Sequence, residues 1–461
     1  MTPRFTSALI LVLLVPLSLV AQTDPGVRPG GAGAGPALPS VLANIPTTIL
    51  DFFNDAKERF EEVDSIFGTI RGEPGFGLGP RFNSRSCAAC HAQPDVGGSA
   101  PANNPQVVDA TAHSAHNIVP TFITPTGPVR EARFPFFFTA GVPDPSRPDG
   151  SVQDLFTVAN RSDAGGCSTV AIAQPDFANA QATNNIIFRI PTPLFGGGLI
   201  ENIEESSLLD NLKQQSGNTL GIQGTFNRNG NDGTISRFGW KAQNKSLEIF
   251  AGEAYNVEMG VSNELFTQER PLSTEEQAGG LPPICMFNAT PEDHTNFNEA
   301  PIDTMSDTVQ FAMFMRLLAP PVPSHTIPGG GGSIDRGHKL FGEIGCNVCH
   351  TEQFSTNPSS ITDSLHKADL FPFSDFEIHH MGTTLADNVS QGTAGGDQFR
   401  TAPLWGLGQR IFFLHDGRTT DLLDAIAKHS SSGSEATQTV VNFNALASGD
   451  QQHLLNFLRS L

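Results

Sequence analysis

The chain runs to 461 residues and carries 47 acidic against 27 basic side chains, a formal net charge of −20. This negative excess disfavours nucleic acid and anionic membrane surfaces as partners and suits a basic protein surface. The length allows roughly two to three domains, each able to bury a core. At the N-terminus, Arg4 supplies a positive lead, Ala8 to Val20 an apolar stretch too short to span a bilayer, and Ala21 a small residue for cleavage. The pattern predicts a secretory signal over residues 1–21 and a periplasmic or otherwise exported destination. Beyond Gln22 no apolar run reaches the roughly 18 residues of a spanning helix, so no membrane span is expected in the mature chain. Residues 22–45, rich in Gly, Pro and Ala between Asp24 and Ser40, read as a flexible tether. The segment Asp51 to Ile66, with Phe52, Phe53, Phe60 and Val63 among charged residues, predicts an amphipathic helix.

The chain contains six cysteines, and four of them fall in two copies of one pattern, Cys87-Ala88-Ala89-Cys90-His91 and Cys346-Asn347-Val348-Cys349-His350. C-x-x-C-H is the attachment signature of c-type haem. On a short helix, residues three apart share a face, so both thiols reach the two vinyl groups of one porphyrin. The adjacent His91 or His350 then meets the iron as proximal ligand. A zinc knuckle would want further Cys or His partners nearby, and a thiol-exchange site would want a βαβ setting; neither is visible. In an oxidising compartment the two remaining cysteines, Cys167 and Cys285, are most simply a structural disulfide, with two separately buried thiols as the alternative.

Landmarks recur in the same order in both parts of the chain, the sign of a duplicated unit. Each part has its haem-binding segment. Phe238-Gly239-Trp240, with Leu247 seven beyond the Trp, matches Phe413-Leu414-His415, with Leu422 seven beyond the His. Phe314-Met315-Arg316-Leu317-Leu318 matches Phe457-Leu458-Arg459-Ser460-Leu461 as a closing helix. Between the parts, Pro-rich sequence runs into four glycines, Gly329 to Gly332. The expected organisation is therefore an N-terminal haem domain over 46–320, a linker over 321–333 and a C-terminal haem domain over 334–461. The first part is longer by an insertion between His91 and Trp240, whose Gly, Pro, Asn and Phe content predicts loops and short strands. The remainder is expected to be mostly helical.

Several segments together resemble a known family: Gly77 to Asn83 leading into the first haem site, Gly127 to Phe134, Phe238 to Gly260, Phe399-Arg400-Thr401-Ala402-Pro403-Leu404-Trp405, and Leu414-His415-Asp416-Gly417-Arg418. They resemble the bacterial di-haem cytochrome c peroxidase superfamily and, within it, a branch of di-haem oxidoreductases also labelled thiol oxidoreductases. The resemblance implies a mainly α fold class of two cytochrome c-like helical domains, the first carrying the insertion. It implies two covalently bound haem c groups, one in the N-terminal half where peroxide reacts and one that takes in electrons from outside. A small redox protein or a quinol-linked donor or acceptor would be the partner. A calcium ion between the halves is also implied, although no carboxylate-dense loop of known spacing occurs. The thiol label carries little weight, because both C-x-x-C pairs are used by thioethers.

Residue by residue, the family's tryptophan between the haems resembles Trp240, and its distal glutamate followed by methionine resembles Glu258 and Met259. Beside apolar neighbours, Glu258 must be paired or functional; a general acid or base there would move a proton between peroxide oxygens. The alternatives are a solvated helix-end carboxylate for Glu258 and a core aromatic for Trp240. The family's pocket glutamine falls at Phe250, which cannot hydrogen-bond a peroxide. His113 and His116 do not match the family's distal histidine, so haem one is expected to be five-coordinate. For haem two, His429 stands fourteen residues after His415, the offset of the family's distal methionine, and continues one face of the 421–428 segment. Met381 is the rival ligand, with His379 and His380 as lesser candidates. The expected function is an exported, peroxidase-like di-haem oxidoreductase. The alternative, a two-haem electron carrier or respiratory subunit without bond chemistry, would want both irons saturated by His or Met.

Overall fold

The computed structural model describes residues 22–29, 47–115, 117–300, 303–357, 365 and 367–461. The expected secretory segment, most of the tether and His116 lie outside them. The chain is not mainly α: 32% of it is helix and 14% strand, the latter in several small sheets. The expectation of two cytochrome c-like helical domains is therefore corrected, and the physical reason lies in the composition. With 46 glycines and 34 prolines, few stretches sustain the periodicity a long helix needs. Nor are the strands confined to the first half. Ile378–His380 pairs antiparallel with Gln398–Arg400, and Phe354–Ser355 with Asp369–Leu370.

Helices form where the apolar period holds. Thr47–Glu61 and Leu247–Met259 pack against Asp307–Leu317, and their aromatic residues interlock. Phe53 stacks on Phe314 at 5.6 Å, while Phe60 and Tyr255 meet the Phe311 ring edge-on at 6.1 and 5.1 Å. Each such pair adds about 0.5–1.5 kcal/mol beyond its buried area. This larger core also takes in Phe354, Leu370, Phe376 and Trp405 from beyond the glycine run. A second core forms between the helices Gly331–Glu343 and Ser448–Ser460, around Leu340, Phe341, Leu454 and Phe457. The first of these helices starts inside the four-glycine run. Where the two cross, a side chain at Gly337 would run into the His453 carbonyl and reach 2.7 Å from the Phe457 Cβ, so only glycine lets the backbones approach.

Three connections fix the frame around the site. A three-stranded antiparallel sheet sets Glu131–Arg133 between Val152–Gln153 and Ile187–Arg189, with Glu131 opposite Arg189. Cys167 and Cys285 form a disulfide. Residues 22–29 lie on the C-terminal half, where Asp24 accepts hydrogen bonds from Arg459 at 2.7 and 2.6 Å and from the Leu422 amide at 2.8 Å. Among the described residues no helix is long and apolar enough to cross a membrane.

Candidate active site

Two cavities, of about 1130 and 1380 Å³, open beside the two C-x-x-C-H segments.

At the first, Ser86 is extended and Cys87–Cys90 forms a single helical turn, so both thiols reach the same cavity wall. His91 follows, and its Nδ1 donates to the Gly98 carbonyl at 3.0 Å. With the proton on Nδ1, Nε2 keeps its lone pair, and the Thr192 carbonyl also lies within hydrogen-bonding reach of the ring. Burial draws the His91 imidazole down to about 4, so it is neutral, as a metal ligand must be. Burial likewise pushes all four C-x-x-C thiols up. A zinc thiolate site or an exchange cysteine wants the opposite shift.

Glu258 is the penultimate residue of the Leu247–Met259 helix, whose end is turned by Gly260 at a φ of 74°. Its backbone carbonyl is fixed by the Asn83 and Ser84 amides at 2.6 and 3.1 Å, and its side chain lines the first cavity. Beside it lies Glu131, contributed by the three-stranded sheet and ion-paired with Arg133. Both residues are partly buried and line the cavity. Burial, and then the neighbouring Glu131 charge, push the Glu258 carboxyl well above the usual range. Burial works the same way on Glu131, but Arg133 and Arg189 outweigh it and hold that carboxyl low. Side by side, the two carboxyls favour holding one proton between them, with the push toward protonation falling on Glu258.

Neither Glu131 nor Arg133 was singled out above, although alternate residues of a strand share a face and the spacing Glu-x-Arg was legible. Gln243 was missed as well. It lines the same cavity, and its buried Oε1 has no partner among the described residues. Phe250 also lines the wall, where it stacks on Phe238 with ring centroids 6.3 Å apart. His113 is elsewhere, bound to Glu73 at 2.7 Å. Among the described residues His91 is the single histidine of this cavity.

The second cavity holds Cys346, Cys349 and His350, and more histidine besides. His350 Nδ1 donates to the Phe373 carbonyl at 2.8 Å, and burial draws its imidazole down to about 4. His429 caps the Leu422–Lys428 helix and turns its Nδ1 back on the Ala425 carbonyl at 2.8 Å, again leaving Nε2 free. His379 has no free nitrogen: Nδ1 meets Glu435 at 2.8 Å and Nε2 meets Asp375 at 2.9 Å. His380 is exposed and bound to Asp397. Met381 lines the cavity, half-buried. Cys349, Asp375 and His379 bring three ligating atoms within 4.8 Å, a mixed set unlike the oxygen cage of calcium.

Trp240 lines both cavities. Its Nε1 donates to the Ile190 carbonyl at 2.9 Å, which fixes the ring. His415 lies edge-on to it at 6.4 Å and stacks on Phe399 at 4.2 Å. The residues fit a porphyrin in each cavity: two thiols, a neutral imidazole whose Nε2 keeps its lone pair, and a wall of apolar side chains.

Residues 153–461 match the family model described as "Di-haem oxidoreductase, putative peroxidase". No protein of curated function matches the chain. Among solved structures, hydrazine synthase of Kuenenia stuttgartiensis aligns over 100% of both chains at 13% identity and a TM-score of 0.36. The diheme peroxidase BthA from Burkholderia thailandensis aligns at 14% identity and a TM-score of 0.28, over 56% of this chain and 77% of its own. A MauG-like protein associated with microbial copper homeostasis aligns at 16% identity and a TM-score of 0.27, over 59% and 89%. The assignment rests on the sequence match.

Proposed function

We propose that this chain, which belongs to the di-haem oxidoreductase family, is an exported enzyme that reduces peroxide at the first cavity with electrons entering through the second. In this reading Cys87 and Cys90 hold one haem by thioether bonds, and Cys346 and Cys349 hold the other. His91 and His350 are the proximal ligands, and His429 is the sixth ligand of haem two. When bound, the haems supply the redox-active irons.

The observation that carries the reading is the inequality of the two cavities. The first pairs its one histidine with Glu258, whose carboxyl is pushed up, whereas the second offers His429, with Nδ1 engaged by the Ala425 carbonyl, besides His350. An electron carrier would want two saturated sites; a peroxidase wants one open and one saturated. Reduction of one peroxide to two waters takes two electrons and two protons. The Glu258–Glu131 pair holds a single proton, so it accepts one from one peroxide oxygen while giving one to the other and ends unchanged, and the two protons consumed with the two electrons come from solvent. Arg133 keeps Glu131 charged and so keeps the proton on Glu258. Trp240, on the wall of both cavities, is the bridge for electrons. The net charge of −20 suits a small basic redox protein as donor.

The test is Glu258→Gln. Peroxide decomposition should slow by a factor on the order of 10² to 10⁴ with both haem spectra intact. Equal rates in the two proteins would remove Glu258 from the chemistry.

A further inference from the structure

Among the described residues, five buried arginines face carboxylates: Arg81 meets Glu275, Arg133 meets Glu131, Arg161 meets Glu73, Arg189 meets Asp387 and Arg459 meets Asp24. A sixth, Arg237, is buried against the Ile200 and Glu201 carbonyls. Arg400 and Arg410 differ from all six in lining the second cavity, built around Cys346, Cys349 and His350. They are 9% and 7% exposed, and among the described residues neither has a carboxylate within ion-pairing distance. Arg400 ends the Gln398–Arg400 strand and spends Nε on the Gly239 carbonyl at 3.0 Å and Nη1 on the Thr401 carbonyl at 3.4 Å. Arg410 follows the turn Leu407–Gln409, and its backbone carbonyl is anchored by Arg459 at 3.0 Å. Burial draws both guanidinium groups down to about 10; at Arg400 the like charge of Arg410 adds to this and the more distant Asp375 opposes it.

Two buried cations that share a cavity without a directly paired carboxylate are costly to hold unless an anion joins them. Arginine is the side chain best matched to a carboxylate, through paired N–H donors in one plane. A haem brings two carboxylates, its propionates. We propose that Arg400 and Arg410 are the carboxylate seat of the second cavity and hold the propionates of haem two. The inference rests on the di-haem reading above. It gives Arg400 a second consequence, because its own amide donates to the Trp240 carbonyl at 2.9 Å and its Nε to Gly239. The residue that grips the edge of haem two also fixes the backbone of the bridging tryptophan.

The test compares the parent holoprotein with Arg400→Gln and Arg410→Gln, each first assayed by pyridine haemochrome and then titrated spectroelectrochemically. Two haems per chain in the parent are required by the di-haem reading; another count overturns that reading rather than the seat. With two haems present, each Gln variant should lower the reduction equilibrium constant of haem two at least tenfold, about 59 mV for a one-electron couple, because a propionate loses its counter-charge. Haem one should not move. An unmoved haem-two potential in both variants, or an equal shift at haem one, would overturn the seat. Should the Gln variants not fold, Arg400→Lys and Arg410→Lys keep the charge and lose the planar fork. Their resonance Raman propionate-bending bands at haem two should then shift, and unchanged bands would equally overturn the proposal.

Discussion

Removing the imidazole of His429 is the sharpest test of the inequality between the two cavities. His429 sits at the C-terminal end of the Leu422–Lys428 helix, and Asp421 holds the other end by accepting the Leu423 and Asp424 amides at 2.7 and 3.1 Å. A carbonyl can only accept, so the 2.8 Å contact to Ala425 puts the proton on Nδ1 and the lone pair on Nε2. Of the neighbouring histidines, His379 has both nitrogens engaged and His380 is turned to solvent against Asp397, while His415 is stacked on Phe399 on the wall that Trp240 shares. His429→Gly should therefore take the ferric protein from one low-spin and one high-spin haem to two high-spin haems. The electron paramagnetic resonance low-spin signal falls from about one per chain to none and returns on adding imidazole. Imidazole stabilises ferric iron, so its loss should also raise the potential of haem two. A variant that stays low-spin with a methionine-to-iron charge-transfer band would identify Met381 as the ligand and refute the reasoning.

Other outcomes follow from the same structure. Replacing Cys87 and Cys90 together with alanine should leave one haem per chain by pyridine haemochrome assay; two would sink the attachment reading. Gly337→Ala drives a methyl group into the His453 carbonyl at the crossing of two core helices and should destabilise the fold by about 1–3 kcal/mol, read from denaturant unfolding of the holoprotein. An unchanged midpoint would mean that the crossing is looser than its geometry.

What the sequence made legible was whatever is local. The two C-x-x-C-H segments needed only five residues each, and the Thr47–Glu61 helix announced itself through Phe53 and Phe60. Trp240 and Glu258 came through the family resemblance, and they line one cavity. What was hidden depends on pairing across distance. Glu131 faces Arg189 only because a three-residue strand docks in one register against another far along the chain. Strands of two or three residues show no alternation from which to read a face. The same shortness explains the error in fold class: Ile378–His380 and Gln398–Arg400 sit among prolines, glycines and histidines that carry no strand signal, yet they form a paired ladder beside the second cavity.

Trp240 and His415 stand seven residues before Leu247 and Leu422, a spacing that the two parts of the chain share in sequence. Their rings meet at 6.4 Å, and the Ile190 backbone joins them, its carbonyl accepting from Trp240 Nε1 and its amide donating to the His415 carbonyl at 2.8 Å. Trp240 lines both cavities, whereas His415 lines only the second. With tryptophan on one side of the contact and histidine on the other, the join itself is asymmetric. That asymmetry parallels the one between the cavities, where Glu258 stands in the first and His429 in the second.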